Sequence, residues 1–127
     1  MKKRRHIMQV LMIRPGQKPE PLELDGTLEA MQKLVGGYIQ AIYPWEDPVA
    51  LVCNDNGKAE RLPLNRALMN PETGEIYDII AGDFFLCGLG EENFDSLSPV
   101  LMEKYRRLFE KREAFIRTDF GMVVLQG

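Results

Sequence analysis

The feature of this sequence that most constrains its fold is a series of short apolar runs separated by proline, glycine, asparagine and aspartate. Short runs between turn-forming residues predict β-strands. Pro19 and Pro21 flank the second run, and because proline donates no ladder hydrogen bond, we expect that strand at an edge of the sheet. The runs interpreted as strands are residues 6–13, 22–24, 38–43, 49–53, 76–80, 84–87 and 120–125.

The strongest local turn signal is the pair Asn56-Gly57, because Asn-Gly tolerates the positive φ angles of a type I′ turn. We therefore predict a hairpin in which residues 58–62 pair back on the preceding strand. Residues 63–68 show no clear apolar period, and we interpret them as a loop.

Two segments carry helix signals. Asp25-Gly26-Thr27 supplies capping chemistry for a helix over 27–36, which Gly36 ends by permitting a left-handed exit. Ser98-Pro99 begins a second helix over 98–112, with serine as the cap and proline at the first position. The expected fold is therefore a single α+β domain over 8–127, with a mostly antiparallel sheet, two helices and a basic extension over 1–7.

Charge is unevenly distributed along the chain. Lys2, Lys3, Arg4 and Arg5 are basic, whereas residues 6–127 hold 12 Lys and Arg against 19 Asp and Glu, a net charge of −7. An acidic body argues against generic nucleic-acid binding. No apolar run approaches the roughly 18 residues of a membrane helix, and no signal-peptide pattern is present, so we expect a cytoplasmic protein that does not contact membranes.

The sequence offers little catalytic or metal-binding chemistry. Its two cysteines, Cys53 and Cys87, are 34 positions apart, and His6 is the single histidine, so no zinc-ligand spacing occurs. Both thiols lie in apolar runs and are interpreted as reduced core residues. The glycines at 88 and 90 are too few for a dinucleotide fingerprint, so no cofactor is expected, and a binding protein is favoured over an enzyme.

The candidate ligand-binding residues combine one arginine with nearby polar and aromatic side chains. In the interpreted loop, Arg66 beside an amide suits a planar anion, and the aromatic faces could stack on a base. The alternatives are a structurally paired arginine, aromatic residues in the core, and a simple bend before residue 84. The candidate residues are Asn65, Arg66, Tyr43, Trp45, Asp83, Phe84 and Phe85.

The order of several sequence blocks resembles a known family. The blocks are residues 25–30, 35–39, 47–54, 63–66 and 78–85, and the resemblance covers about residues 8–112. The sequence is similar to an uncharacterised family of small proteins from phages and mobile elements, mainly of Gram-positive bacteria. The resemblance implies a phage context, and it implies no catalytic activity.

Three functional hypotheses follow, in order of preference. The first is a non-enzymatic protein that binds and sequesters an anionic, nucleotide-like ligand in the host bacterial cytoplasm, as counter-defence sponges do. The second is an inhibitor of a host protein, in which the acidic stretch 72–95 faces a basic groove. The third is an enzyme without a recognisable motif. The sequence leaves open whether the protein is a homo-oligomer.

Overall fold

The computed structural model describes residues 6–127, and in this range the chain forms ten strands and two helices. This architecture confirms the predicted α+β class with a mostly antiparallel sheet. No helix in the described range is long and apolar enough to cross a membrane. The elements are β1 (Ile7–Ile13), β2 (Glu20–Asp25), α1 (Leu28–Val35), β3 (Ile39–Ile42), β4 (Val49–Asn54), β5 (Leu64–Met69), β6 (Ile76–Ala81), β7 (Phe84–Leu89), β8 (Phe94–Asp95), α2 (Pro99–Leu108), β9 (Glu113–Thr118) and β10 (Gly121–Gln126).

The main sheet has the strand order β2-β1-β7-β4-β3, and β8 pairs with the end of β7. All of its pairings are antiparallel, and β2 lies at an edge as its prolines predict. Side chains alternate between the two faces, so the central strands supply two separate cores. Phe85 packs with Met31 and Val35 of α1 on one face, whereas Phe84 packs with Tyr105 of α2 and Leu68 of β5 on the other.

Both predicted helices are present. The Thr27 hydroxyl accepts a hydrogen bond from the Ala30 N–H at 3.2 Å, and Gly36 ends α1 with φ 79°. The Ser98 hydroxyl caps α2 in the same way. The predicted end of the second helix at residue 112 is wrong, because α2 stops at Leu108 and residues 113–118 form β9, a strand that the sequence reading missed.

The predicted hairpin at Asn56-Gly57 is wrong, because residues 55–61 form turns and do not pair back on β4. The side chain of Asn54 accepts a hydrogen bond from the Asn56 N–H at 2.7 Å, which bends the chain without a positive φ at Asn56 or Gly57. Gly57 is required for a different reason: a Cβ there would lie 2.7 Å from the Ala81 carbonyl oxygen. The glycine therefore allows the turn to contact β6.

The loop interpretation of residues 63–68 is also wrong. Residues 64–69 form β5, which pairs with β6 through the turn at 70–75 as a hairpin packed against the main sheet. A register shift between Leu64 and Arg66 disturbs the alternation of side chains, which explains why the sequence shows no strand period there.

The two C-terminal strands are separate from the main sheet, whereas His6 and Ile7 contact it. Strands β9 and β10 form a separate two-stranded sheet, which we call the arm (residues 113–126). At the other end, the His6 carbonyl accepts a hydrogen bond from the Gly26 N–H at 2.7 Å, and Ile7 pairs with Asp25. Of the predicted basic extension, Ile7 thus belongs to β1 and His6 is hydrogen-bonded beside it, and residues 1–5 lie outside the described residues.

Candidate functional site

Arg66 is buried, and every N–H of its guanidinium group donates a hydrogen bond within the chain. Its Nε and Nη2 donate to the Phe109 carbonyl at 3.3 and 3.1 Å, and Nη2 also donates to the Gln17 carbonyl at 2.6 Å. Its Nη1 donates to the backbone and side-chain oxygens of Asn65 at 3.2 and 2.9 Å. A guanidinium has five N–H donors, and these are five hydrogen bonds, so no donor is left for an external anion.

Asn65 is fully buried and completes this group. Its side-chain nitrogen donates to the Ile13 carbonyl at 2.9 Å and to the Gly82 carbonyl at 2.8 Å, while its side-chain oxygen accepts from Arg66. The two residues therefore join β5 to the end of β1, the bend before β7 and the end of α2. The expectation that Arg66 lies in a surface loop is wrong, and its contacts favour the alternative of a structurally paired arginine.

Glu113, the first residue of the arm, lies in the same electrostatic environment. Burial lowers the pKa of Arg66, and the charge of Glu113 acts in the opposite direction. Burial raises the pKa of Glu113, while a hydrogen bond from the Ala67 N–H at 2.9 Å and the charge of Arg66 lower it. The negative charge that interacts with Arg66 thus comes from the chain itself.

Trp45, Phe84 and Phe85 are packing residues in this structure. The Trp45 ring lies 4.5 Å from the Tyr105 ring and 5.8 Å from the Phe109 ring, measured between centroids. Phe84 and Phe85 are fully buried and point into opposite cores. They therefore cannot together line a pocket, and their positions fit the core alternative that the sequence left open.

Asp47 holds the end of α2 beside Trp45. Its carboxylate accepts hydrogen bonds from Lys104 Nζ at 2.6 Å and from the Tyr105 hydroxyl at 2.7 Å. The bond from Lys104, followed by that from Tyr105, lowers the pKa of Asp47. Burial raises the pKa of Tyr105, and Asp47 adds to that effect. The phenol therefore stays protonated as a structural donor.

Tyr43 and Asp83 each line an open cavity, and these cavities are different. Tyr43 is 58% exposed and borders a cavity of about 350 Å³ together with Glu91 and Glu92 of the turn after β7. Asp83 is half-buried and borders a cavity of about 540 Å³. The structure therefore does not bring the seven predicted residues into one site.

The cavity beside Asp83 is the candidate functional site, and we call it the Arg14–Lys33 groove. It lies between the turn after β1, the C-terminal end of α1 and the bend before β7. Two cations and one carboxylate line it together with apolar and backbone surface. Its lining residues are Arg14, Pro15, Gln17, Lys33, Leu34, Val35, Gly36, Leu62, Pro63, Gly82 and Asp83.

The charged side chains of the groove form few ion pairs with the rest of the described chain. Arg14 forms an ion pair with Glu20 at 3.3 Å near the surface, whereas neither Lys33 nor Asp83 has an ion pair within residues 6–127. Gly82 has φ 83°, and a Cβ there would lie 2.7 Å from a methyl carbon of Leu62. Arg14 and Lys33 were missed from the sequence, although Arg14 directly precedes the Pro-Gly turn and Lys33 lies in the last turn of the predicted first helix.

The cysteines offer no alternative site. Both thiols are free and buried, and burial raises the pKa of Cys53 to about 11 and that of Cys87 to about 12. A thiol with so high a pKa is protonated at neutral pH and is a poor nucleophile or metal ligand. Among residues 6–127, no cluster of His, Cys, Asp and Glu has the arrangement of a metal site.

The acidic residues of the stretch 72–95 lie in several different surroundings. Asp78 pairs with Lys58 at 2.5 Å, and Asp83 lines the Arg14–Lys33 groove. Glu91, Glu92 and Asp95 lie around the β7–β8 turn. These three carboxylates form a local cluster of negative charge.

Comparisons with known proteins identify a single family. The model of the family described as Domain of unknown function (DUF3846) matches residues 8–110, and this range ends before the arm begins. The curated proteins and the solved structures contain no significant match to the chain.

Proposed function

The chain belongs to the family Domain of unknown function (DUF3846), and we propose that it is a non-enzymatic protein that binds an anionic, nucleotide-like small molecule in the Arg14–Lys33 groove. The observation that carries this proposal is the combination, in one cavity of about 540 Å³, of two cations with a carboxylate that has no ion-pair partner among the described residues. Cavities of this size accept small molecules.

The groove residues suit different parts of such a ligand. The Arg14 guanidinium and the Lys33 ammonium would bind phosphate or carboxylate oxygens, by a planar contact and a point charge respectively. The Asp83 carboxylate would accept hydrogen bonds from ring or amino N–H groups of a base. Leu34 and Leu62 provide apolar walls for the face of a ring.

Sequestration of the ligand is the role that we propose for this binding. A protein that binds a small molecule lowers the free concentration of that molecule in the cell. In the phage or mobile-element context that the sequence resemblance implies, this would be counter-defence in the host cytoplasm. The buried Arg66 group would contribute by fixing the Gln17 carbonyl, and thereby the turn after β1, at the groove wall.

The proposal is tested by titrating the full chain, in a calorimeter, with nucleoside monophosphates, nucleoside triphosphates and cyclic dinucleotides. We expect at least one probe to bind, and Arg14→Gln and Lys33→Gln each to weaken it by about tenfold or more, since a charge-assisted contact is worth about 1.5–3 kcal/mol. Lys18→Gln is the matched control, because Lys18 is exposed near the same turn and does not line the groove.

Two results would overturn the proposal. One is that no probe binds at concentrations up to about 1 mM, which corresponds to a binding free energy weaker than about −4 kcal/mol. The other is a probe that binds equally to wild type and to both groove variants. Asp83→Asn should change the preference among bases more than the affinity for phosphate.

A second candidate function is binding of a basic host protein through the β7–β8 turn. Glu91, Glu92 and Asp95 cluster there beside the exposed side chains of Tyr43 and Leu89, which combines negative charge with apolar contact area. Replacing both glutamates with glutamine should slow association with such a partner, most strongly at low salt. The same replacement should leave nucleotide binding unchanged.

A further inference from the structure

The Arg14–Lys33 groove opens where strands β1 and β7 stop pairing. The last pair of their register is Ile13 with Phe84, and the next residue on each side is Arg14 after β1 and Asp83 before β7. Opposite charges at facing positions of antiparallel strands attract each other. Arg14 and Asp83 nevertheless form no ion pair with each other in the described part of the chain, and the Arg14 guanidinium pairs with Glu20 at 3.3 Å.

Asn65 fixes the backbone on both sides of this opening. Its side-chain nitrogen donates to the carbonyls of Ile13 and Gly82 at 2.9 and 2.8 Å, which are the carbonyls directly before Arg14 and Asp83. The Asn65 side chain is fully buried, so water does not compete for these two hydrogen bonds. One side chain therefore sets the position of the backbone at Arg14 relative to that at Asp83.

The carboxylate of Asp83 limits which base the groove can take. Asp83 is half-buried, and its side chain has no hydrogen-bond or ion-pair partner among residues 6–127. An ionised carboxylate only accepts hydrogen bonds, and it does so through two oxygens side by side. Guanine presents two neighbouring donors, N1–H and the N2 amino group, on its Watson–Crick edge. Adenine and cytosine place a ring acceptor beside their amino group, and uracil has one N–H between two carbonyls, so these bases fit a carboxylate less well.

We propose that the groove takes a guanine nucleotide, with the phosphate on Arg14 and Lys33 and the N1–H and N2 amino groups on Asp83. This inference rests on the proposed function and adds the identity of the base. The cavity of about 540 Å³ has room for a ligand that reaches both charges, and Leu62 lines it as an apolar contact for the ring. The pair between Arg14 and Glu20 lies near the surface, where ion pairs contribute little, so a phosphate can replace Glu20.

Calorimetric titration of the full chain with guanosine, inosine and adenosine monophosphate tests the proposal. Inosine monophosphate lacks only the N2 amino group, so we expect it to bind about tenfold or more weakly than guanosine monophosphate, and adenosine monophosphate to bind more weakly still. Asp83→Asn replaces one acceptor oxygen with an amide donor, so the guanosine-to-inosine affinity ratio should fall below about threefold. Asp55→Asn is the matched control, because Asp55 is exposed after β4 and does not line the groove, and this variant should keep the ratio of wild type.

The two ends of the ligand can be tested separately. Arg14→Gln should weaken guanosine and inosine monophosphate by the same factor, because it acts on the phosphate that both share. Equal affinity of wild type for these two nucleotides, tighter binding of adenosine monophosphate, or a ratio that survives Asp83→Asn would overturn the guanine assignment while leaving the proposed function in place. If none of the three nucleotides binds at up to about 1 mM, the guanine assignment is wrong, and the proposed function then depends on the triphosphate and cyclic dinucleotide titrations.

Discussion

Hairpins β5–β6 and β9–β10 each consist of two six-residue antiparallel strands, yet only β5–β6 contributes buried residues. In β5–β6, Asn65, Arg66, Leu68 and Ile80 are buried against the main sheet and α2, whereas no residue of β9–β10 is buried. The comparison teaches that strand length and apolar content do not decide whether a hairpin becomes part of the core. The first hairpin has buried polar side chains, Asn65 and Arg66, that hydrogen-bond to several other segments, whereas within residues 6–127 the second has a single such contact, from the Ala67 N–H to Glu113.

The largest expected effect in this comparison is that of Arg66→Ala. The substitution leaves the carbonyl oxygen of the buried residue Phe109 and the side-chain oxygen of buried Asn65 without the Arg66 donors, and we expect it to lower the free energy of unfolding by about 3–5 kcal/mol. Arg117→Ala on the exposed strand β9 should change it by less than about 0.5 kcal/mol. Urea denaturation measures both, and similar costs for the two substitutions would show that the hairpins do not differ as described.

Truncating one leucine in each hairpin should give the next largest difference in the free energy of unfolding. Leu68 is 3% exposed in the core, so Leu68→Ala should cost about 2–5 kcal/mol through lost burial and a cavity. Leu125 is 51% exposed, so Leu125→Ala should cost about 0.5 kcal/mol or less. Thermal unfolding checks the pair. A large cost at Leu125 would mean that the arm packs on the rest of the chain more tightly than its exposure indicates.

Gly57→Ala tests how the turn after β4 supports the base of β5–β6. The new methyl group would lie 2.7 Å from the Ala81 carbonyl oxygen, and relieving this overlap should cost about 1–3 kcal/mol. Asn56→Ala should be nearly neutral, because Asn56 has no positive φ and its side chain is exposed. If Asn56→Ala were as costly as Gly57→Ala in urea denaturation, the type I′ turn predicted from the sequence would be favoured again.

The smallest expected effect concerns the junction of the two hairpins at Glu113. Because burial raises the pKa of Glu113 in the folded chain, the folded state binds that proton more tightly than the unfolded state does. The group therefore lowers stability at neutral pH, and this penalty disappears as the pH falls through the raised pKa toward the ordinary value of 4.5. Glu113→Gln keeps an oxygen that accepts the hydrogen bond from the Ala67 N–H. The free energy of unfolding of this variant should depend less on pH between pH 4 and 7 than that of the wild type. An unchanged pH profile would contradict this assignment.

Much of the fold could be predicted from local signals. Thr27 and Gly36 at α1 and Ser98-Pro99 at α2 act on their own helices, so their chemistry is readable without tertiary structure. Strand β5 could not be predicted, because its buried residues include Asn65 and Arg66. These polar residues give the segment the hydropathy pattern of a surface loop. Gly57 was recognised as special, but its close approach to Ala81 depends on a contact between distant segments.

The candidate site was the least predictable part. The sequence points to Arg66 because an arginine beside an amide suits an anion, whereas in the structure its guanidinium binds carbonyl oxygens of its own chain. Arg14 and Lys33 come from segments 19 residues apart in sequence, and only the packing of α1 beside the end of β1 brings them to one groove. A single sequence contains no local signal for that proximity.

Hydrogen–deuterium exchange of the full chain tests most directly the claim that β5–β6 belongs to the core and that the arm does not. Amides of β5 should exchange only through global unfolding, whereas amides of β10 should exchange through local opening, at least tenfold faster than those of β5. Equal protection of β5 and β10 would contradict the account, since the arm would then be as stable as the core.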